Sequence, residues 1–323
     1  MHRFVLALAA VALTTAMAFA DAASHWKRAW PNTDFTKMSV DAFEIFSGGP
    51  PKDGIPAITG PEMRTVDVEA SLADREPVMS VALEGQTPRA YPIRYLMWHE
   101  IVNDRIGDVP VAVTFCPLCN SGLVFDLRLE GRELELGVSG MLRHSDMIMY
   151  DRQTESWWQQ FTGEAIVGEL LGKKLTPLPA LLESWGAYKA RHPDGLVMAR
   201  PAEHARHYGA NPYRGYDTGT PFLYRGENPP HNVHPLVRVV RVGDRAWPMT
   251  RLREARRLEE AGLVLTWKEG QASALDRSTI ADGREVGNVV VTTPDGSPVV
   301  FEVVFAFAFH AFTPDGEWML GVQ

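Results

Sequence analysis

Cysteine is scarce in this 323-residue chain, which contains only two. Two cysteines are too few for a disulfide-stapled scaffold, so the fold must depend on a hydrophobic core. Runs of lysine or arginine are also missing, and acidic residues outnumber basic ones by 40 to 32. This charge balance argues against nucleic acid as a partner.

The motifs of several common enzyme classes are missing as well. The chain has no G-x-G-x-x-G, no P-loop, no H-E-x-x-H and no G-x-S-x-G. We therefore expect no organic cofactor, and whether the protein is an enzyme stays open. No apolar run after the first 20 residues is long enough for a membrane helix, so we expect no transmembrane segment. A small molecule or a protein of the cell envelope remains as a possible partner.

The first 20 residues have the pattern of a secretory signal. Arg3 supplies a short positive region, Phe4 to Leu13 is apolar, and Ala18-Phe19-Ala20 matches an A-x-A cleavage site. The apolar stretch is too short to span a bilayer. We expect cleavage near Ala20 and an exported protein, periplasmic or extracellular, in a compartment that permits a disulfide.

The most informative segment is Val111 to Phe125, which contains both cysteines. Strand-like apolar runs flank Cys116-Pro-Leu-Cys119, so the C-x-x-C sequence is expected in a hairpin turn. Such a turn can supply two ligands to a metal ion or close a small disulfide ring. Asn120 follows the second cysteine, where knuckles of this kind need a residue that tolerates positive φ.

An internal repeat indicates the architecture. Arg89-Ala-Tyr-Pro-Ile-Arg-Tyr-Leu96 resembles Arg245-Ala-Trp-Pro-Met-Thr-Arg-Leu252, and further short matches follow in the same order. We expect a β-rich α+β fold of two related β units, an internal duplication, joined by a helix and a long loop. The predicted divisions are a signal peptide (1–20), an N-terminal extension (21–60), a first β unit with the C-P-L-C hairpin (61–200), a connecting loop (201–235) and a second β unit (236–323).

The local patterns predict several elements. A helix should follow Pro92 and run to about Asn103, because apolar residues recur there at helical spacing. A second helix is expected from Pro179 to Arg191. Alternating aromatics in Phe305 to Phe312 favour a final strand. The connecting loop holds six Pro, four Tyr and four His, and a loop of that length is functional or poorly ordered.

Several long, collinear motifs resemble a bacterial family, the domain of unknown function 3179. They are Asp53-Gly-Ile-Pro56, Tyr91 to Asp104, Thr114-Phe-Cys-Pro-Leu-Cys-Asn-Ser-Gly122, Val138-Ser-Gly140, Met149 to Trp158 and Trp185 to Pro193. The resemblance covers roughly Pro51 to Trp318. It implies a secreted or envelope bacterial protein and brings no established activity.

The two matched segments differ at residues suited to chemistry. The second has Ala255 where the first has His99, and Lys268-Glu-Gly-Gln where the first has the C-P-L-C turn. The scaffold itself therefore does not require His99 or the cysteines. A C-x-x-C turn provides two metal ligands, and a closed site needs four. We name His99 and His144 as the candidates that complete the site of Cys116 and Cys119.

Three functions are compatible with these residues. The leading hypothesis is an exported metal-binding protein that handles copper(I) or zinc, since thiolate ligands favour these ions. The second is an envelope enzyme that uses the cysteines in thiol-disulfide or nucleophilic chemistry, with His99 as base. The third is a non-catalytic structural or partner-binding protein with a passive disulfide.

Overall fold

A computed structural model describes residues 26–204 and 206–321 of the chain. The predicted signal peptide, residues 1–20, lies outside the described residues. The protein is β-rich, with 37% strand and 14% helix. Among the described residues, no helix has the length and apolar character needed to cross a membrane.

The strands are short, and most have buried side chains. In chain order they are β1 (Ile45–Ser47), β2 (Ile58–Thr59), β3 (Met63–Thr65), β4 (Pro77–Val81), β5 (Arg89–Pro92), β6 (Ile101–Ile106), β7 (Val109–Cys116), β8 (Ser121–Asp126), β9 (Arg128–Leu129), β10 (Arg132–Glu133), β11 (Leu136–Arg143), β12 (Asp146–Asp151), β13 (Trp157–Gln159), β14 (Glu164–Val167), β15 (Thr176–Leu178), β16 (Ala180–Ser184), β17 (Leu196–Met198), β18 (Arg238–Val242), β19 (Arg245–Pro248), β20 (Arg257–Glu260), β21 (Leu263–Lys268), β22 (Asn288–Thr292), β23 (Glu302–Phe305) and β24 (Glu317–Trp318).

Four α-helices lie wholly within the described residues, and each has seven residues. They are α1 (Ile93–His99), α2 (Trp185–Arg191), α3 (Met249–Ala255) and α4 (Ala306–Phe312). Single 3₁₀ turns occur at Ala42–Glu44, Val66–Val68, Tyr216–Thr218 and Ile280–Asp282. The helices are therefore brief connections between strands rather than separate layers.

The expected architecture of two β units joined by a helix and a long loop is wrong. The strands form a five-bladed β-propeller arrangement instead. The five principal sheets have the strand orders β1-β11-β12-β13-β14, β15-β8-β7-β6-β2, β16-β4-β5-β17-β3, β23-β18-β19-β24 and β20-β21-β22, and β9 and β10 form a small hairpin. The predicted first unit, residues 61–200, contributes to three of these sheets, so it is not one unit.

The matched sequence segments nevertheless occupy similar local positions. In each, a strand pair leads into a seven-residue helix and then into the next sheet: β4 and β5 precede α1, and β18 and β19 precede α3. Pro92 and Pro248 end the second strand and directly precede the helix. The fixed φ of proline, here −61° and −57°, suits both a strand end and a helix start, and proline lacks the N–H that a first turn leaves unpaired. Thr114 then pairs with Ile101, as Thr266 pairs with Arg257.

Three predicted elements have different bounds or types. Helix α1 ends at His99 instead of continuing to about Asn103, because Glu100 has a left-handed φ of 59° and β6 begins at Ile101. The helix expected from Pro179 forms only from Trp185, after β16. The strand expected from Phe305 to Phe312 is α4 from Ala306 onward.

The core is continuous through the sheets that surround the cysteines. Both cysteines and Phe305 to Phe309 belong to its largest cluster. A second cluster packs Trp26, Trp30 and Phe35 around Trp157, with ring centroids 5.2–5.3 Å apart. Residues expected as an N-terminal extension therefore contribute both core aromatics and the strands β1 and β2.

Candidate functional site

The C-P-L-C sequence forms the turn between β7 and β8. Cys116 pairs with Ser121 across the hairpin, and Cys119 lies in the turn between them. Asn120 has the left-handed φ of 52° that this turn needs, and its Nδ2 donates to the Val303 carbonyl at 2.7 Å. A strand follows the second cysteine, so the turn differs from the strand-to-helix junction of thioredoxin-like C-x-x-C motifs.

A second hairpin turn faces the two thiols. Strands β11 and β12 are joined by His144 and Ser145, both with positive φ (50° and 64°), as a two-residue hairpin turn requires. The Ser145 carbonyl accepts from the thiol of Cys119 at 3.5 Å and from that of Cys116 at 3.9 Å. The first residue of β12, Asp146, is thereby placed beside the sulfurs.

Asp146 forms a three-residue cluster with the cysteines. One carboxylate oxygen and both sulfurs lie within 4.8 Å of one another, and no other such group of His, Cys, Asp or Glu occurs within residues 26–204 and 206–321. The Asp146 side chain is fully buried, and its Oδ2 accepts from Gln159 Nε2 (2.7 Å) and from the Phe161 amide (3.0 Å). Its Oδ1 has no hydrogen-bond partner among the described residues.

The electrostatics of the cluster are those of buried acids without a nearby cation. Burial raises the pKa of Asp146 to about 7 and raises the pKa of both cysteine thiols. The Asp146 carboxylate raises both thiol pKa values further. The groups that act most strongly on these three side chains are carboxyls, thiols and amides, not lysine or arginine.

Glu100 is a further buried acid next to this cluster. It follows the last residue of α1, His99, and its left-handed φ turns the chain into β6. Only 8% of Glu100 is exposed, and its carboxyl makes no hydrogen bond within the part of the chain that the structure describes. Burial raises its pKa to about 8, and the nearby Asp146 charge contributes to that rise.

A cavity of about 290 Å³ adjoins the cluster, and Glu100 faces it. Its other walls come from the N-terminal segment, from β11 and β12, and from the 201–235 loop. The lining residues are Gly48, Pro50, Ile55, Leu118, Val138, Gly140, Met141, Leu142, Met147, Tyr213, Tyr216 and Phe222. A Cβ on Gly140 would lie 2.0 Å from the Pro50 carbonyl oxygen, so only glycine allows these two walls to meet. The long loop thus covers a cavity beside the cysteines.

The structure places His99 elsewhere. Its Nδ1 lies 2.7 Å from the Pro56 carbonyl oxygen and its Nε2 lies 2.7 Å from the Tyr208 hydroxyl. Because a carbonyl only accepts, Nδ1 carries the proton and Nε2 accepts from the tyrosine. Burial lowers the His99 pKa to about 4. His99 is a neutral ring with both nitrogens engaged, and it is outside the cysteine cluster.

His144 is close in sequence to Asp146 but points away from the sulfurs. Its Nε2 is 3.6 Å from Glu44 Oε2, and its ring meets the edge of Phe312 at 5.4 Å between centroids. Burial, followed by the neighbouring Arg143 charge, lowers the pKa of the ring. Of the four residues named from the sequence, the structure brings together only Cys116 and Cys119.

Sequence reasoning missed Asp146 as a site residue and gave Glu100 no role of its own. One signal for Glu100 was available: the second matched segment has Arg256 at the equivalent position, as it has Ala255 opposite His99. Asp146 had no comparable signal, because the pairing of two hairpin turns from different sheets brings it to the cysteines.

The comparison with known families covers the cysteine cluster and Glu100. A family model described as "Protein of unknown function (DUF3179)" matches residues 52–316. The chain belongs to this family. The residues that match the family model include both cysteines, Asp146 and Glu100. No curated protein and no solved structure matches the chain.

Proposed function

We propose that this protein binds a transition metal ion through the thiolates of Cys116 and Cys119 and a carboxylate oxygen of Asp146. The carrying observation is the convergence of these three acids within 4.8 Å in a fully buried place. Buried charges are normally paired or bound to a metal. A cation at this point would supply the counter-charge that the nearest protein groups lack. The free Oδ1 of Asp146 would coordinate it.

The donor set favours zinc over copper(I). Zinc accepts a mixture of thiolate and carboxylate ligands, whereas copper(I) is selected by soft sulfur ligands alone. Three protein ligands also leave a fourth zinc position free, as in zinc sites that bind water or substrate. Leu118, between the cysteines, and Met147, next to Asp146, both line the adjoining cavity, so a fourth ligand would come from the cavity side.

We further propose that the protein acts outside the cytoplasm, as its N-terminal sequence indicates. The sulfurs are suited to such a compartment because Cys116 is 1% exposed and Cys119 is 0% exposed. A bound ion would hold both as thiolates and keep them from forming the disulfide that an oxidising compartment favours.

Metal analysis of protein purified anaerobically under reducing conditions tests the proposal. We expect one zinc ion per chain by mass spectrometry of the eluted metal, and none in a Cys116→Ser/Cys119→Ser variant of unchanged circular dichroism. His144→Asn is the matched control, because it lies on the facing turn and asparagine tolerates the positive φ there. Failure of the wild-type protein to bind zinc or copper(I) stoichiometrically in a chelator competition would refute the metal site.

A second candidate function is thiol-disulfide exchange. It is favoured by one observation: a buried carboxyl with a pKa raised to about 7 lies beside two unbridged thiols, where it can accept a thiol proton. Oxidation would join the two sulfurs and break the disulfide of a partner protein, whose two sulfurs take up the two electrons and the two protons and become thiols. The raised thiol pKa values oppose fast exchange, since the thiolate is the nucleophile.

Equilibration of the metal-free protein with glutathione buffers distinguishes this candidate from metal binding. An exchange enzyme should show a disulfide potential near those of known oxidoreductases and should reduce or oxidise a model substrate with turnover. A metal site should instead show a thiol reactivity that zinc suppresses and no turnover.

A further inference from the structure

The cavity beside the cysteine cluster has the composition of a ligand site in its own right. Its volume of about 290 Å³ is near the lower end of the range for small-molecule pockets. Its walls are mostly apolar, and Phe222, which is 49% exposed, lies at its edge in the 201–235 loop. A compact molecule with an apolar body fits such walls without leaving polar groups unpaired.

Two polar groups in the wall lack partners. Glu100 is 8% exposed, and its carboxyl makes no hydrogen bond to the described residues. Tyr213 is half-buried, and its hydroxyl makes none to them either. Tyr216 shows the contrast: its hydroxyl donates to the Leu118 carbonyl at 3.0 Å and accepts from the Phe222 amide at 3.1 Å. A polar group that lines a mostly apolar cavity without a protein partner is free to bind a ligand, so Glu100, with Tyr213 beside the same cavity, marks where a ligand's polar end would bind.

The sign of the local charge decides what that polar end is. Glu100 is the only charged side chain among the lining residues, and none of them is lysine, arginine or histidine. The charged or titratable groups that act on Glu100 and Tyr213 from neighbouring elements are Asp146, Cys116 and Tyr216, none of which is a cation. An anionic ligand would be repelled by Glu100 once that residue is ionised. Burial by itself favours the protonated form, and an ammonium group is the ligand that would favour release of that proton and pair with the resulting carboxylate.

We propose that this cavity binds a small organic cation, a primary amine on a compact apolar body, with its ammonium group donating to Glu100 and its apolar part against Leu142, Met147 and Phe222. Tyr213 lines the same cavity, and its hydroxyl oxygen accepts a second hydrogen bond from the ammonium group. Aromatic rings at the mouth add cation–π attraction to the approach. The inference does not depend on metal binding by Cys116 and Cys119, since none of its contacts uses the sulfurs.

Isothermal titration calorimetry tests whether the cavity prefers a cation. The three probes are benzylamine, benzyl alcohol and benzoate, which have nearly equal shape and different charge. We expect benzylamine to bind one site per chain, and the alcohol and the carboxylate to bind at least about tenfold more weakly, since a charge-assisted hydrogen bond contributes about that factor or more. The titration is repeated with n-butylamine and cyclohexylmethylamine, because the benzyl ring of benzylamine is not the only apolar body that a cavity of this size can hold.

Variants assign the binding to this cavity. Glu100→Gln should weaken benzylamine about tenfold or more, whereas Glu44→Gln, which removes a carboxylate outside the cavity, should not change the affinity. Met141→Trp should abolish binding by filling the cavity without altering Glu100, and it decides the matter if Glu100→Gln does not fold. Circular dichroism and the melting temperature report the folding of each variant.

The outcomes separate this proposal from the metal proposal. Titrations are repeated on the Cys116→Ser/Cys119→Ser variant, in which amine binding should persist without any metal. Loss of amine binding in that variant would show an amine bound to the metal instead, and would overturn the cavity proposal. Equal binding of benzyl alcohol or benzoate, undiminished binding by Glu100→Gln, or no binding of any of the three amines at millimolar concentration would overturn it as well.

Discussion

The two matched segments share a backbone feature where they differ in chemistry. Glu100 and Arg256 are the residues that follow α1 and α3, and their φ angles are 59° and 63°. Each of these residues accepts a hydrogen bond through its carbonyl, from the amide of Phe115 at 2.8 Å or of Trp267 at 2.9 Å. The left-handed residue therefore serves the same backbone purpose in both segments, and neither segment uses glycine there.

The side chains at this position have opposite environments. Glu100 is buried and faces the cavity, whereas Arg256 is exposed, with its guanidinium 4.4 Å from the Trp267 ring centroid. The strands that follow also differ in their connection: four residues join Cys116 to Ser121, and residues 269–287 join the equivalent pair Lys268 and Asn288. The comparison teaches that the backbone fixes where these side chains are, and not what they do.

The largest expected effect concerns Asp146, which has no part in the backbone features that the segments share. Asp146→Asn should weaken zinc binding by about a thousandfold, or about 4 kcal/mol, because an anionic ligand is lost and not merely a group that orients one. A competition titration with a zinc-binding dye measures this. His144→Asn, on the same turn, should change the affinity less than threefold, and a comparable loss in both variants would mean that the turn and not the carboxylate matters.

The comparison also shows how much the sequence could predict. The hairpin around Cys116 and Cys119 was predictable because strand patterns flank it, and the strand-to-helix step at Pro92 because proline restricts its own φ. The overall arrangement was not, since strands far apart in the chain share sheets: β15 joins β8, and β16 joins β4. Pairing partners of this kind leave no local pattern in a single sequence.

The site was predictable only where its residues are neighbours in the chain. His99 was chosen because it is near the cysteines in sequence and is absent from the second segment, yet its ring binds Pro56 and Tyr208. The Phe305 to Phe312 run failed for a different reason. The composition of a short apolar run does not distinguish a buried strand from a buried helix, and here the packed chain forms the helix α4.

The next largest effect is expected at Glu100, in metal-free protein. Its pKa is raised from the ordinary 4.5 to about 8, so between these pH values the folded state keeps a proton that the unfolded chain releases. Wild-type stability should therefore fall as the pH rises through this range. Glu100→Gln cannot ionise and should be more stable than wild type by several kcal/mol at pH 9, and equal to it well below pH 4.5, where the wild-type carboxyl is protonated in both states.

Urea unfolding at both pH values measures this difference. Arg256→Gln is the control from the second segment, and its effect should stay within about 0.5 kcal/mol at either pH because the side chain is exposed. If Glu100→Gln is less stable than wild type at pH 9, the raised pKa is wrong, and the Glu100 carboxylate must have a partner that stabilises its charge.

A smaller effect is expected at Asn120, which joins the cysteine turn to β23. Asn120→Ala should lower the free energy of unfolding by about 2 kcal/mol, because it combines a left-handed φ with loss of the hydrogen bond to Val303. Asn120→Gly removes the same hydrogen bond but relieves the φ, so it should cost about 1 kcal/mol less than Asn120→Ala. Equal losses in the two variants would show that the turn relaxes its backbone.

The smallest effect is expected at Tyr208, which ties the 201–235 loop to α1 through His99 Nε2. Tyr208→Phe leaves that nitrogen buried without a donor, and this should cost about 1 kcal/mol in urea unfolding at pH 7.5. The ring cannot regain a partner by protonation at that pH, because burial lowers its pKa to about 4. Amide exchange in the loop should increase in parallel.

Two further measurements decide what His99 does. Tyr224→Phe is the matched control, because its hydroxyl donates to the Glu227 carbonyl at the surface and its loss should be nearly neutral. Zinc affinity should be unchanged in Tyr208→Phe, because the neutral His99 ring, held between Pro56 and Tyr208, anchors the 201–235 loop and does not bind the metal. A drop in zinc affinity with no change in loop exchange would instead return His99 to the metal site, and the second segment's Ala255 would then mark the absence of a ligand.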